Sequence, residues 1–173
     1  YVKGKGVVGV GLDAVDFWAG TPSLLHPGQV GRILSALDTN IGISKSAEVT
    51  LEMDPGTFTR ETVMALRQSG VNRVSLGVQS FDNEVLEKCG RAHRAEDVHR
   101  ALDDLHAAGI DNVSIDLIAS LPYVSPTLWE QTLEKAVATG CPHLSVYDLQ
   151  VEDKTAFGRW YTPGQFPLPS DEC

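Results

Sequence analysis

The chain writes the pattern Gly-x-x-x-(Val/Leu)-Ser three times, at Gly70 to Ser75, Gly109 to Ser114 and Gly140 to Ser145. Helix-period apolar residues precede each copy and strand-period residues follow it. A glycine suits the left-handed cap that ends a helix, since it lacks the Cβ that makes this conformation costly. The unequal spacing of the copies argues for reiterated βα units rather than a solenoid of fixed period.

The predicted strands share one asymmetry. Val74, Leu76 and Val78 form an apolar face against Ser75, Gly77 and Gln79, and Val113, Ile115 and Leu117 oppose Ser114, Asp116 and Ile118. Leu144 and Val146 oppose Ser145 and Tyr147, and in an earlier segment Val49, Leu51 and Met53 oppose Thr50, Glu52 and Asp54. Strands alternating with helices indicate a parallel sheet. A doubly wound sheet is apolar on both faces, and a closed eight-stranded barrel fills its interior with Val, Ile and Leu. A small, polar second face instead predicts an α/β fold built as a wide or incomplete barrel whose lumen takes a polar ligand.

At 173 residues the chain is too short for a complete eightfold barrel of ~250 residues, so one domain is expected. A net charge of -9 disfavours a nucleic-acid surface or an anionic-membrane anchor. No apolar run approaches the ~18 residues of a membrane span, and Tyr1 to Gly11 lacks the apolar core of a signal peptide. Cys89, Cys141 and Cys173 show no CxxC or CxxxCxxC spacing, which reads as a reducing compartment with structural or incidental thiols.

Along the chain, residues 1–13 are Gly-rich and expected to be irregular, 14–152 to form the barrel core, and 153–173 to be an irregular tail. A strand is predicted at Ala14 to Trp18 and a connector at Gly42 to Ser46. Val30, Ile33, Leu34 and Leu37 form one helical stripe, and Trp129, Leu133, Ala136 and Val137 are expected to face inward from another. Thr59, Asp82 and Ser125 are predicted to begin helices, the last with Pro126 at its first position.

Ligands of βα folds bind beyond the carboxyl ends of the strands. There the sequence places Gly20-Thr21, Glu52 with Asp54, Gln79, and Asp116. Lumen carboxylates need cations or donors, and two of them with an amide suit a ligand bearing an ammonium group and a diol. Arg91 could clamp a carboxylate or form a surface ion pair. His93 could act as an acid or base, though a loop histidine is more often solvated.

Together, Leu51-Glu52-Met53-Asp54-Pro55-Gly56, Val71-Asn72-Arg73-Val74-Ser75-Leu76-Gly77-Val78-Gln79-Ser80-Phe81, Gly90-Arg91-Ala92-His93, Asp116-Leu117-Ile118-Ala119-Ser120-Leu121-Pro122 and Ser145-Val146-Tyr147 resemble the radical S-adenosylmethionine (SAM) proteins related to oxygen-independent coproporphyrinogen III oxidase. Ser80 is typical of the haem-chaperone, HemW-like branch. Tyr147 to Glu152 and Tyr161 to Ser170 resemble plant or algal plastid members, so the resemblance implies a chloroplast protein, with mitochondrion or cytoplasm as alternatives.

The resemblance implies a partial (βα)6 TIM-like barrel, incomplete at its N-terminal strand and cluster loop, with SAM across the strand ends. Carried over, Gly20 and Thr21 would contact the methionine part and Glu52 its ammonium. Gln79 and Asp116 would hold the ribose, Arg91 the carboxylate, and Ile118 and Gln150 would line the adenine side. The implied activity lies in haem or porphyrin metabolism, with a [4Fe–4S] cluster donating the electron that cleaves SAM.

Two departures stand against that pattern. The CxxxCxxC that holds the cluster is absent, and the three cysteines fall on different elements, so this chain alone is expected to be inactive and the motif to lie upstream of Tyr1. The family's Gly-Gly-Gly-Thr-Pro loop reads Trp18-Ala19-Gly20-Thr21-Pro22, where Trp18 is expected to obstruct or reshape the methionine pocket. A second reading is therefore a non-catalytic haem-binding or haem-delivery module, ligated through His93, His99, His106 or His143. A third is an inert, truncated fragment from a mispredicted or decayed gene, and the tail at 153–173 is expected to lead to an absent C-terminal domain.

Overall fold

The computed structural model describes residues 11–18, 20, 22–162 and 164–168. Five strands, β1 (Leu12–Phe17), β2 (Ile43–Met53), β3 (Arg73–Gln79), β4 (Val113–Ala119) and β5 (His143–Asp148), form one sheet in the order β1-β2-β3-β4-β5. Every neighbouring pair is parallel. The longer helices are α1 (Pro27–Asn40), α2 (Arg60–Ser69), α4 (Ala95–Ala107) and α5 (Pro126–Ala138), with short α3 (Asn83–Lys88) and α6 (Ala156–Trp160).

This strand order never reverses. Right-handed crossovers between successive strands put the crossover helices α1, α2, α4 and α5 on the same face, unlike a doubly wound sheet, where the order switches and helices cover both faces. The result is a half-barrel. Its outer face carries Val49, Leu51, Met53, Val74, Leu76, Val78, Val113, Ile115 and Leu117, all buried. Val30 and Leu34 of α1, Val63 and Leu66 of α2, Val98, Ala101 and Leu105 of α4 and Ala136 of α5 pack onto them as one core.

Local chemistry sets the boundaries. The Thr59, Asp82 and Ser125 side chains accept from the amides of Thr62, Val85 and Leu128, capping α2, α3 and α5. The repeated glycines Gly70, Gly109 and Gly140 have φ of 115°, 76° and 73° and end α2, α4 and α5.

Several expectations are corrected. Strand β1 starts at Leu12, inside the segment expected to be irregular, and residues 43–46 belong to β2 rather than to a connector. Ile33 and Val137 point outward, 41% and 68% exposed, because the α1 and α5 contact stripes are narrower than the periodicity suggested. The tail contains α6, capped by Thr155. Among the described residues there are five strands of the six that the family resemblance implies.

Asn72 fastens the turn before β3 to its neighbour. Its side-chain oxygen accepts from the Val49 amide at 2.8 Å and its amide donates to the Ala47 carbonyl at 2.8 Å, while its own backbone N–H donates to the Val49 carbonyl. Replacing it with alanine strips two half-buried backbone groups of β2 of their partner. Asn72→Ala is expected to lower stability by about 1–3 kcal/mol, read as a drop in the urea midpoint; an unchanged midpoint contradicts this role.

Candidate functional site

The inner face of the half-barrel is polar and satisfies itself. Ser75 on β3 and Ser114 on β4 lie opposite one another, and Asp116 lies opposite Ser145 on β5. The Ser75 hydroxyl donates to Asp116 Oδ2 at 2.5 Å and the Ser114 hydroxyl to Asp116 Oδ1 at 3.2 Å. Ser114 Oγ also lies 3.0 Å from Ser145 Oγ and 2.8 Å from His143 Nδ1. Since Ser114 has one proton and gives it to the carboxylate, Ser145 and His143 donate to Ser114. The three serines of the repeat are thus joined through Asp116 in one hydrogen-bonded row, which lets Asp116 stay only 6% exposed. Glu52 is half-buried in the same lumen, opposite Ser75.

Above this row, at the carboxyl ends of the strands, is a pocket of about 310 Å³. Gln79 and Arg91 supply its polar lining, Ile118, Leu121, Leu149 and Phe157 its apolar walls, and Cys89 and Gly90 complete it. The pairing register shifts between Gly77 and Gln79, and Gln79 takes a positive φ of 67°. A bulge of this kind turns a side chain out of the strand's alternation, and a left-handed non-glycine residue holds about 1–3 kcal/mol of strain. Desolvation raises the Cys89 pKa, outweighing the lowering effect of Arg91, so its thiol stays protonated.

The loop bearing Arg91 is pinned at both ends. Its amide donates to the Leu86 carbonyl at 2.8 Å, and His93 Nε2 lies 3.1 Å from the Val78 carbonyl. A carbonyl can only accept, so the imidazole proton sits on Nε2. His93 is 4% exposed, which corrects the solvated loop histidine expected from sequence: packing against the end of β3 buries it. Burial lowers its pKa, and the Arg91 charge adds to the effect, while the bond to Val78 and the carboxylates of Asp54 and Asp97 oppose it.

Of the residues proposed from the sequence, Gln79, Arg91 and Ile118 meet in the pocket. Asp116 is not part of the pocket lining; each of its carboxylate oxygens accepts from one serine hydroxyl. Gly20 and Gln150 are exposed and Thr21 lies outside the described residues; Leu149 lines the pocket where the sequence pointed to Gln150. Trp18 is 50% exposed and is not part of the lining. Phe157 reaches the pocket from α6, which no strand or motif signal marked. The other histidines are engaged as well: His106 pairs with Asp111 at 2.6 Å, His99 lies against the Phe81 ring, and His143 bonds Ser114.

The comparisons with known proteins agree with this architecture. The model of the Radical SAM superfamily matches residues 5–136. The chain belongs to the radical SAM superfamily. It is 40% identical over 171 residues to the heme chaperone HemW of Synechocystis sp., covering 99% of this chain and 42% of that protein. It is 34% identical over 161 residues to the mitochondrial radical S-adenosyl methionine domain-containing protein 1 of Mus musculus, covering 93% of this chain and 36% of that one. Coproporphyrinogen III oxidase (HemN) from Escherichia coli superposes with a TM-score of 0.82 at 28% identity, over 92% of this chain and 37% of that structure. The chain therefore spans less than half the length of these relatives.

The described residues do not fit a [4Fe–4S] cluster. Such a cluster needs several thiolates converging on it, whereas Cys89 lines the pocket at the carboxyl ends of the strands and Cys141 precedes β5 at the opposite end. No group of three His, Cys, Asp or Glu side chains among the described residues could hold a metal ion. No helix among them is long and apolar enough to cross a membrane.

The buried His93 predicts a pH dependence. Its folded pKa lies below the ordinary 6.5, so as pH falls through 6.5 the unfolded chain takes up a proton that the folded chain does not. Stability is expected to be undiminished by this group above pH 6.5 and to decline as pH drops from there toward the lowered value. His93→Gln keeps a donor toward Val78 without titrating, and is expected to flatten that part of a urea-midpoint profile between pH 7.5 and 5.5. Equal slopes in the two proteins contradict the assignment.

Proposed function

We propose that this half-barrel is the SAM-binding part of a HemW-like radical SAM protein acting in haem or porphyrin metabolism. The observation that carries the reading is the meeting of Gln79, Arg91 and Ile118 in one pocket at the strand ends. A guanidinium, a side-chain amide and apolar walls offer a partner to each part of an adenosyl amino acid: its carboxylate, its ribose hydroxyls and its base. Bound SAM supplies a sulfonium centre whose reductive cleavage starts radical chemistry. The residues of this chain bind and orient it, and the electron-transfer part of the chemistry is assigned to none of them.

In this reading Arg91 takes the ligand carboxylate and Gln79, re-aimed by the bulge, the ribose. Ile118, Leu121, Leu149 and Phe157 enclose the base. Glu52 faces the ammonium from the lumen, and Asp116 acts through the serine row that fixes β3 against β4. The haem or porphyrin partner follows from the likeness to HemW and HemN, and a plastid location from the segments Tyr147 to Glu152 and Tyr161 to Ser170.

Titration calorimetry with SAM tests the reading. The wild-type chain is expected to bind SAM, and Arg91→Ala to weaken it by about tenfold or more, since a charge-assisted bond contributes roughly 1.5–3 kcal/mol. Absence of binding by the wild type, or full retention by the variant, contradicts it.

A further inference from the structure

Arg91 is a third exposed, and a long side chain so placed has many rotamers. Its guanidinium nevertheless has a fixed neighbour: Nη1 lies 3.4 Å from Asp54 Oδ1, each side chain being 33% exposed. Asp54 follows directly after β2, and Met53 pairs with Leu76, so continuing the register sets Asp54 beside Gly77. To reach Arg91 its carboxylate passes over that glycine. A Cβ at position 77 would stand 2.7 Å from Asp54 Oδ1 and 3.1 Å from Gln79 Nε2. Real Cβ atoms do not sit at the first of these distances, so any side chain at 77 displaces the carboxylate, and it also crowds the amide.

We propose that Asp54 and Gly77 are positioning residues that hold Arg91 toward the pocket and make the site selective for ligands carrying a carboxylate. The proposal rests on the adenosyl amino-acid reading of the pocket. One long contact to Nη1 occupies a single edge of a five-donor fork and leaves the remaining N–H groups to grip a second carboxylate in two-pronged fashion. A guanidinium fixed beforehand loses less freedom when it binds, and its planar geometry rewards fixation more than an ammonium's would. The opposite effect, competition between Asp54 and the ligand for the same cation, predicts the opposite sign on mutation. Gly77 belongs to the same device, because without the gap it leaves Asp54 cannot lie where it does.

The test compares SAM with decarboxylated SAM, which keeps the adenosyl, sulfonium and amine groups and lacks only the carboxylate. Binding of both to the 173-residue chain is followed by calorimetry. The wild type is expected to prefer SAM at least tenfold. Asp54→Ala is expected to reduce that preference about fivefold with no change for decarboxylated SAM, and Asp54→Asn, which keeps an acceptor oxygen for Arg91, to restore most of it. Gly77→Ala is expected to reduce the preference similarly and to add little in the Asp54→Ala background.

An unchanged preference in Asp54→Ala, an equal loss for both ligands, or tighter SAM binding overturns the positioning role. So does equal binding of the two ligands by the wild type, although the adenosyl-site reading then survives. If the wild type binds neither, the reading of the pocket fails and the proposal with it.

Discussion

The sheet winds in one direction, and that puts its crossover helices, among the described residues, on one face. Most apolar strand residues, Val49, Leu51, Met53, Val74, Leu76, Val78, Val113, Ile115 and Leu117 among them, go to the outer face, where α1, α2, α4 and α5 cover it. The inner face carries none of these four helices, and Thr50, Ser75, Ser114 and Asp116 are buried on it. A carboxylate in that position is tolerable only with donors, and Ser75 and Ser114 provide them from two adjacent strands. No buried side-chain nitrogen or oxygen among the described residues lacks a hydrogen-bond partner. The serine row therefore belongs to the fold as much as to the site: it ties β3, β4 and β5 together on the face where hydrophobic packing cannot.

Much of this could be read in the sequence because it is local or periodic. The glycine caps, the Thr59, Asp82 and Ser125 helix starts and the two-residue alternation of β3 and β4 each follow from a few neighbouring residues, and the repeat put the serines on one face. What escaped depends on distance or on a break in period. The start of β2 was hidden because Ser44, Lys45 and Ser46 are polar on both faces, beside a β1 pairing that is itself irregular. A bulge at Gly77 and Gln79 leaves no mark in the alternation. Burial of His93 comes from Val78, fifteen positions earlier in the chain, and the Phe157 wall comes from a tail whose glycines and prolines concealed a short helix.

The same distinction sorts the candidate site. Gln79, Arg91 and Ile118 come from three different segments and converge only because adjacent parallel strands end at the same rim. Asp116 lies on the lumen face, where the Ser75 and Ser114 hydroxyls each donate to one of its carboxylate oxygens. Arg91 shows the converse. An isolated arginine in a loop reads as a surface charge, whereas here Leu86, His93 and Asp54 fix the loop and the guanidinium, and Gly77 leaves the space for Asp54 to do so.

On the proposed function, the pocket at the carboxyl ends of β3 and β4 receives an adenosyl ligand. A second cavity of about 330 Å³ lies at the other end of the strands, between Leu102, Ile110, Val113 and Cys141, and serves as an internal control. Backbone amide shifts in the NMR spectrum of the chain, followed as S-adenosylhomocysteine is added, separate the two. Saturable shifts are expected to concentrate at residues 77–79, 89–91, 118–121 and 149. Shifts confined to residues 102–113 and 139–142, or no saturable shift at all, would contradict it.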